Sequence, residues 1–273
     1  MDGRGLALPA ALLSALVDLV LPRTCAGCGL PGAALCRACA GLLAAPRPAQ
    51  PRRFPEGFPP TVAAGAYDGP VRPAVIAFKE RGRAELARPL GAALALAVAA
   101  VTAGVPGPGR PVLLVPVPSS AAALRARGRD HVRELTGRAV AELRAAGLPA
   151  TEARLLRRRG RLRDSAGLTA AQRRANLAGT FALSASRASA PRGALLVLVD
   201  DVVTSGATLT EAAGVLAAAT GPGDPPVLAA VVAATPRRAV SPTSADDLRV
   251  VRTGAVPGPV APLGRLSGRG RRD

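Results

Sequence analysis

A chain of 273 residues is long enough for one or two domains with buried cores, and at 49 % hydrophobic residues it is too apolar for wholesale disorder. Its 36 basic residues outnumber 18 acidic ones, a net charge of +18 that favours polyanions such as nucleic acid, phosphorylated metabolites or an anionic membrane surface. The four cysteines all lie between Cys25 and Cys39, which excludes a disulfide framework spread over the chain.

In chain order, residues 1–45 read as a helix followed by a cysteine module. Leu12, Leu13, Leu16, Leu19 and Val20 recur on one helical face, Asp18 interrupts the apolar run, and no small-residue cleavage site follows before Cys25. This pattern predicts a helix in preference to a signal peptide, and a cytoplasmic protein. Cys25-x2-Cys28 and Cys36-x2-Cys39 are two turns that can aim four thiolates at one tetrahedral ion. A redox dithiol needs only two cysteines. The expectation is a structural Zn²⁺ held by Cys25, Cys28, Cys36 and Cys39, with Arg23 and Arg37 near enough to offset its negative charge.

Residues 46–60, rich in Pro and Arg without a period, read as a linker. From 61 to 235 hydrophobic runs alternate with helical stretches. Strands are predicted at Val62–Tyr67, Pro111–Val117, Thr151–Leu156, Asn176–Leu183, Ala194–Val199 and Val227–Ala233. Helices are predicted within Val71–Ala103, Ala121–Ala146 and Thr208–Ala219. The uncharged run Leu90–Val105 is too short for a membrane span and reads as a buried helix. Strands alternating with helices imply an α/β domain with a parallel sheet flanked by helices. Residues 236–273 read as a C-terminal extension with little to bury.

The sharpest signal is the apolar run Leu195–Val199 ending in Asp200 and Asp201, then Val202, Val203, Thr204, Ser205, Gly206, Ala207 and Thr208. In a parallel sheet, ligands gather at the carboxyl ends of strands. Backbone N–H groups at the next helix start, with the hydroxyls of Thr204, Ser205 and Thr208, suit a phosphate. Two adjacent carboxylates can accept from sugar hydroxyls and help to hold Mg²⁺. Their mutual repulsion has to be relieved by a cation or by hydrogen-bond donors. The loop lacks the Gly-Lys-Ser/Thr of a Walker motif. A plain helix cap would need only one of these hydroxyls.

This stretch resembles the 5-phosphoribosyl-1-pyrophosphate (PRPP) motif of type I phosphoribosyltransferases. The rest resembles the ComF family of competence-related proteins. The supporting pieces run in order: the cysteine pairs, Tyr67-Asp68-Gly69, Phe78-Lys79-Glu80-Arg81-Gly82, Val115-Pro116-Val117-Pro118, Arg127-Gly128-Arg129-Asp130-His131, and Arg173-Arg174-Ala175-Asn176-Leu177 with Phe181. The resemblance covers roughly residues 10–235 and departs at Asp164-Ser165, where the family often has a Gln. It implies a type I phosphoribosyltransferase-like sheet preceded by a zinc module. The implied ligand is PRPP or another ribose 5-phosphate with Mg²⁺, held by Asp200 and Asp201 as catalytic residues and by the loop Val203–Thr208. Catalysis would be positional and electrostatic, with a nitrogen nucleophile and no protein nucleophile. The competence link gives the alternative: a non-enzymatic adaptor in DNA uptake that binds single-stranded DNA.

Lys79 is the one lysine among the 36 basic residues. Its compact ammonium suits a pyrophosphate contact as well as an ordinary exposed position. Ser119, in the loop after Val115-Pro116-Val117-Pro118, and Arg127 are pyrophosphate-side candidates by the resemblance. His131 is the only histidine, and a hydrogen-bonding or packing role is expected for it. Arg154, Arg157, Arg158, Arg159, Arg161 and Arg163 form a basic run that fits a substrate-covering loop or a nucleic-acid surface. With so few aromatic residues, base stacking would be scarce and any nucleic-acid binding salt-sensitive.

Overall fold

The computed structural model describes residues 23–51, 55–106, 109–159, 179–184 and 193–236. The predicted N-terminal helix, Arg161, Arg163, Asp164-Ser165, the 173–177 motif and the extension from 237 onward lie outside the described residues.

The strands are β1 (Arg47–Pro48), β2 (Thr61–Ala66), β3 (Val112–Pro116), β4 (Ala150–Glu152), β5 (Leu156–Arg158), β6 (Phe181–Leu183), β7 (Leu195–Val203) and β8 (Leu228–Ala234). The helices are α1 (Arg37–Gly41), α2 (Val71–Glu80), α3 (Ala87–Ala103), α4 (Ala121–Arg127), α5 (His131–Ala145) and α6 (Ala207–Ala217). One six-stranded sheet has the order β1-β2-β8-β7-β3-β4. All its pairings are parallel except β1 with β2. β5 and β6 form a separate antiparallel ribbon. The protein is thus α/β with a mostly parallel, helix-flanked sheet.

The connections place the functional end of the sheet. From β3 the chain passes through α4 and α5 outward to β4, and from β7 it passes through α6 in the opposite direction to β8. β3 and β7 are neighbours, with Val112 to Pro116 in register with Leu195 to Val199. Their carboxyl ends therefore flank a topological switch point, where open α/β sheets form a crevice.

Side chains of β7 alternate between two cores, as strand geometry requires. Leu195, Val197 and Val199 belong to the core shared with α2, α3 and α5. Leu196 and Leu198 belong to the core shared with α6 and the β5–β6 ribbon. Each fully buried side chain of this kind, Leu198 for example, contributes about 2 kcal/mol. Together with the preceding 3-10 turn, α3 is long and apolar enough by composition to cross a membrane. Yet Leu86, Leu90 and Leu94 are wholly buried in the first core, as in the core helix of a globular domain, so no clear membrane span emerges among the described residues.

Several elements differ from the sequence reading, each for a local reason. The helical stretch Ala121–Ala146 is two helices, because Gly128 takes a left-handed φ of 67° and Asp130 then caps α5 by accepting from the Arg133 N–H. Thr151–Leu156 divides between β4 in the sheet and β5 in the ribbon. The stretch read as a linker contributes β1 to the sheet edge and buries Ala49. β7 runs on to Val203, because Val202 and Val203 still pair with Ala233 and Ala234 of β8.

Candidate functional site at the switch point

Asp200 and Asp201 stand near the carboxyl end of β7, one step beyond the point where β3 ends opposite Val199. Asp201 continues the row of Leu195, Val197 and Val199 toward α2 and α5. It is only 3 % exposed. Its Oδ2 lies 2.7 Å from Lys79 Nζ, in the last turn of α2, and 3.0 Å from His131 Nε2, in the first turn of α5. Its Oδ1 accepts from the Val202 N–H at 2.7 Å. Burial alone would raise this carboxyl, but His131 and Lys79 outweigh it and hold Asp201 well below the usual carboxylate range. Burial also works against the Lys79 ammonium, and the Asp201 charge overcomes it, raising Lys79 above its ordinary value.

His131 is itself buried, and its ring meets Phe78 edge-on at 6.4 Å between centroids. Its Nδ1 is buried without a hydrogen-bond partner. The ring nitrogen that meets Asp201 is Nε2, so the imidazole spans from the carboxylate to an apolar pocket around Nδ1.

Asp200 continues the other row of β7, toward the ribbon. It is half-buried, and its Oδ1 accepts from the Asp201 N–H at 2.8 Å. No Lys, Arg or His is hydrogen-bonded to it among the described residues. Burial and the neighbouring Asp201 charge push its carboxyl up to about 8, against the pull of Lys79. Arg158 of β5 reaches the same region. Its Nε donates to the Pro118 carbonyl at 3.0 Å, and its guanidinium lies 5.2 Å from the Phe181 ring centroid. Burial lowers Arg158 and the Asp200 charge partly restores it.

After β7, Thr204 and Ser205 are exposed and Gly206 begins α6 with φ 78°. A Cβ on Gly206 would lie 2.8 Å from Phe58 Cε2 and 3.1 Å from Pro51 Cγ, so both the backbone angle and the space require glycine. The N–H of Ala207 has only a long contact, 3.5 Å, to Ser205 Oγ. Ala207 and Thr208 thus open α6 with amides facing a short hydroxyl-bearing loop.

Of the other candidates, Arg127 is paired within the protein and Ser119 is not firmly held. Arg127 donates to both oxygens of Glu80, at 3.0 and 2.8 Å. Ser119 Oγ makes a long contact, 3.5 Å, to Asp130 Oδ1. The sequence reading placed Lys79 near a pyrophosphate. Here its nearest anion is the buried Asp201. It gave Arg158 no role apart from its neighbours, whereas Arg157 and Arg159 are exposed and Arg158 turns inward. Alternation along β5 carried that distinction, but a three-residue strand flanked by arginines has no visible period.

The cysteines form a second cluster. All four Sγ atoms lie within 4.8 Å of one another, and those of Cys28 and Cys36 are 3.6 Å apart. Tetrahedral zinc with bonds of about 2.3 Å separates its sulfurs by about 3.8 Å, so the set is compatible with a zinc site. Cys36 caps α1 and donates its N–H to Cys25 Sγ at 3.3 Å. Burial opposes ionisation of Cys25, yet the N–H groups of Cys36, Cys28 and Gly27 bring its thiol down to about 6. Burial and the surrounding thiols push Cys39 up, so four thiolates this close need a cation among them. Ala26, Ala34 and Leu35 pack on the first core. Neither a protein-family model nor a curated protein matches the chain.

Proposed function

We propose that the chain binds PRPP or another ribose 5-phosphate with Mg²⁺ at the switch point, and transfers the phosphoribosyl group to a nitrogen acceptor, as its likeness to the ComF family implies. The observation that carries this reading is the course of one segment. β7 delivers two carboxylates to the crevice, and three residues later Gly206 turns the chain into α6. A ribose hydroxyl pair belongs against Asp200, and a 5-phosphate belongs on the Thr204–Thr208 loop and the first amides of α6. Asp200 is the residue to share Mg²⁺ with the ligand. The ion would neutralise the leaving pyrophosphate, and the residues themselves bind and orient. Cys25, Cys28, Cys36 and Cys39 hold one structural Zn²⁺ in this reading, with no open coordination position for chemistry.

Titration calorimetry with PRPP and ribose 5-phosphate, each with and without Mg²⁺, tests it. Binding that requires Mg²⁺ and is blocked by Gly206→Val supports the proposal. No heat with either ligand at millimolar concentration overturns it.

A second reading, a nucleic-acid adaptor, rests on the exposed Arg157 in β5 and Arg159 directly after it. Single-stranded DNA binding without any ribose-phosphate binding would favour it.

A further inference from the structure

We propose that the two adjacent acids have separate tasks: Asp201 is a positioning residue that ties α2 and α5 to β7, and Asp200 alone of the pair meets the ligand. The second half rests on the ribose-phosphate reading, and the first half stands on the fold.

Asp201 is engaged within the protein and nearly closed to solvent, which leaves a ligand little access to it. One oxygen accepts from Lys79 and His131, the other from its neighbour's amide, and the side chain is sealed from solvent. The partners come from two helices, so a single carboxylate oxygen fixes the end of α2 and the start of α5 against the strand. An ammonium and an imidazole nitrogen offset the Asp201 charge within the protein, while Asp200 beside it is pushed toward its neutral form. Lys79 retains 31 % side-chain exposure, so it is less enclosed than the carboxylate it pairs with. Among the described residues Asp200 has no such partner, and Arg158 turns inward in the same region. A crevice with one ligand-facing carboxylate holds Mg²⁺ poorly by itself. Asp200 would hold Mg²⁺ only together with the phosphates of a bound ligand.

Among the described residues the charged and titratable groups around Lys79 are Asp201 and Asp200 from β7, His131 from α5 and Arg127 from α4. Removing Asp201 strands the lysine between them. Its folded-state pKa then falls below the unfolded value of about 10.4. The variant is penalised at neutral pH and regains stability as pH rises toward that value.

The test compares melting temperatures of wild type, Asp200→Asn, Asp201→Asn, Lys79→Met and the double variant Lys79→Met/Asp201→Asn, from pH 7 to 10. Asp201→Asn should melt several degrees lower at pH 7 and recover as pH rises. The double variant should regain at least half the loss and show no such recovery with pH. Should Asp201→Asn not fold, folding of the double variant gives the same answer. Additive losses, or an Asp201→Asn variant as stable as wild type, overturn the positioning role. Asp200→Asn should melt at or above the wild-type temperature and bind ribose 5-phosphate with Mg²⁺ at least tenfold more weakly. Unchanged binding overturns the ligand-facing role of Asp200. If wild type binds no ribose phosphate, that role fails together with the functional reading, while the melting series still decides the task of Asp201.

Discussion

A methyl group on Gly27 would lie 2.8 Å from the carbonyl oxygen of Pro70, so the first cysteine turn sits flush on the residue that begins α2. The same methyl would lie 2.9 Å from Cys39 Sγ. At its other end, α2 carries Lys79 to Asp201 and Glu80 to Arg127. One ten-residue helix, about 15 Å long, therefore runs from the cysteine cluster to the acidic pair.

Zinc removal is predicted to be felt along that helix. Protein purified without added metal should contain close to one zinc per chain by elemental analysis. Chelation or Cys36→Ser should speed amide exchange first in the 25–43 segment and then at the start of α2, while β3, β7 and β8 keep their protection. Gly27→Ala should weaken zinc retention without touching a ligand. A metal-free protein with unchanged exchange and melting would sink this prediction.

Gly206 tests the phosphate loop. An alanine there combines a left-handed φ, unfavourable by about 1 kcal/mol, with displacement of the Phe58 ring. The expected destabilisation is about 1–3 kcal/mol, a fall in melting temperature of several degrees. Ribose 5-phosphate affinity should drop at least tenfold. An unchanged melting temperature would show that Phe58 and Pro51 do not hold the loop as described.

Asp200 gives a pH dependence whose sign is fixed. Its carboxyl is raised to about 8 in the folded protein, against about 3.9 when unfolded. The folded state thus holds the extra proton between these values, and stability declines as pH rises through that window. Asp200→Asn should remove this decline. Mg²⁺-dependent ligand binding runs the other way: it needs the ionised carboxylate, so affinity should rise with pH up to about 8 and then level off. Calorimetry from pH 6 to 9 in buffers of different ionisation enthalpy would also register proton release on binding. A flat profile and no proton release would contradict the assignment.

The parts of the fold legible from sequence were those with strong periodicity. The uninterrupted apolar run of β7 marked a central parallel strand, and the alternating burial of Leu195 to Val199 shows why both faces had to be apolar. The end of that strand was obscured because two aspartates read as a boundary, although their backbone still pairs with β8. β1 was hidden since two residues at a sheet edge carry no period. The cysteine cluster was visible because metal-site geometry is local in sequence. The link from Lys79 to Asp201 and His131 was not, because it depends on how α2 and α5 are laid across the sheet.

The structure also sharpens the basic run. Arg158 is held inward by the Pro118 carbonyl, and Arg154 lies 3.2 Å from Glu152, which Arg133 also contacts. Arg154 is exposed but lies against Glu152, and Arg157 and Arg159 are the other two exposed arginines on the described part of the run. If single-stranded DNA binds this face, each neutralised phosphate adds about −0.7 to the slope of log affinity against log salt. Arg157→Gln/Arg159→Gln should then flatten the slope by roughly 1.4 while leaving ribose-phosphate binding intact. Arg158→Gln should do the reverse, leaving the salt slope nearly unchanged and weakening the ribose-phosphate complex through Asp200. Fluorescence anisotropy at several salt concentrations, paired with calorimetry on the same variants, separates the two surfaces. A common loss in both assays from either set of substitutions would mean that crevice and exposed ribbon act as one binding surface.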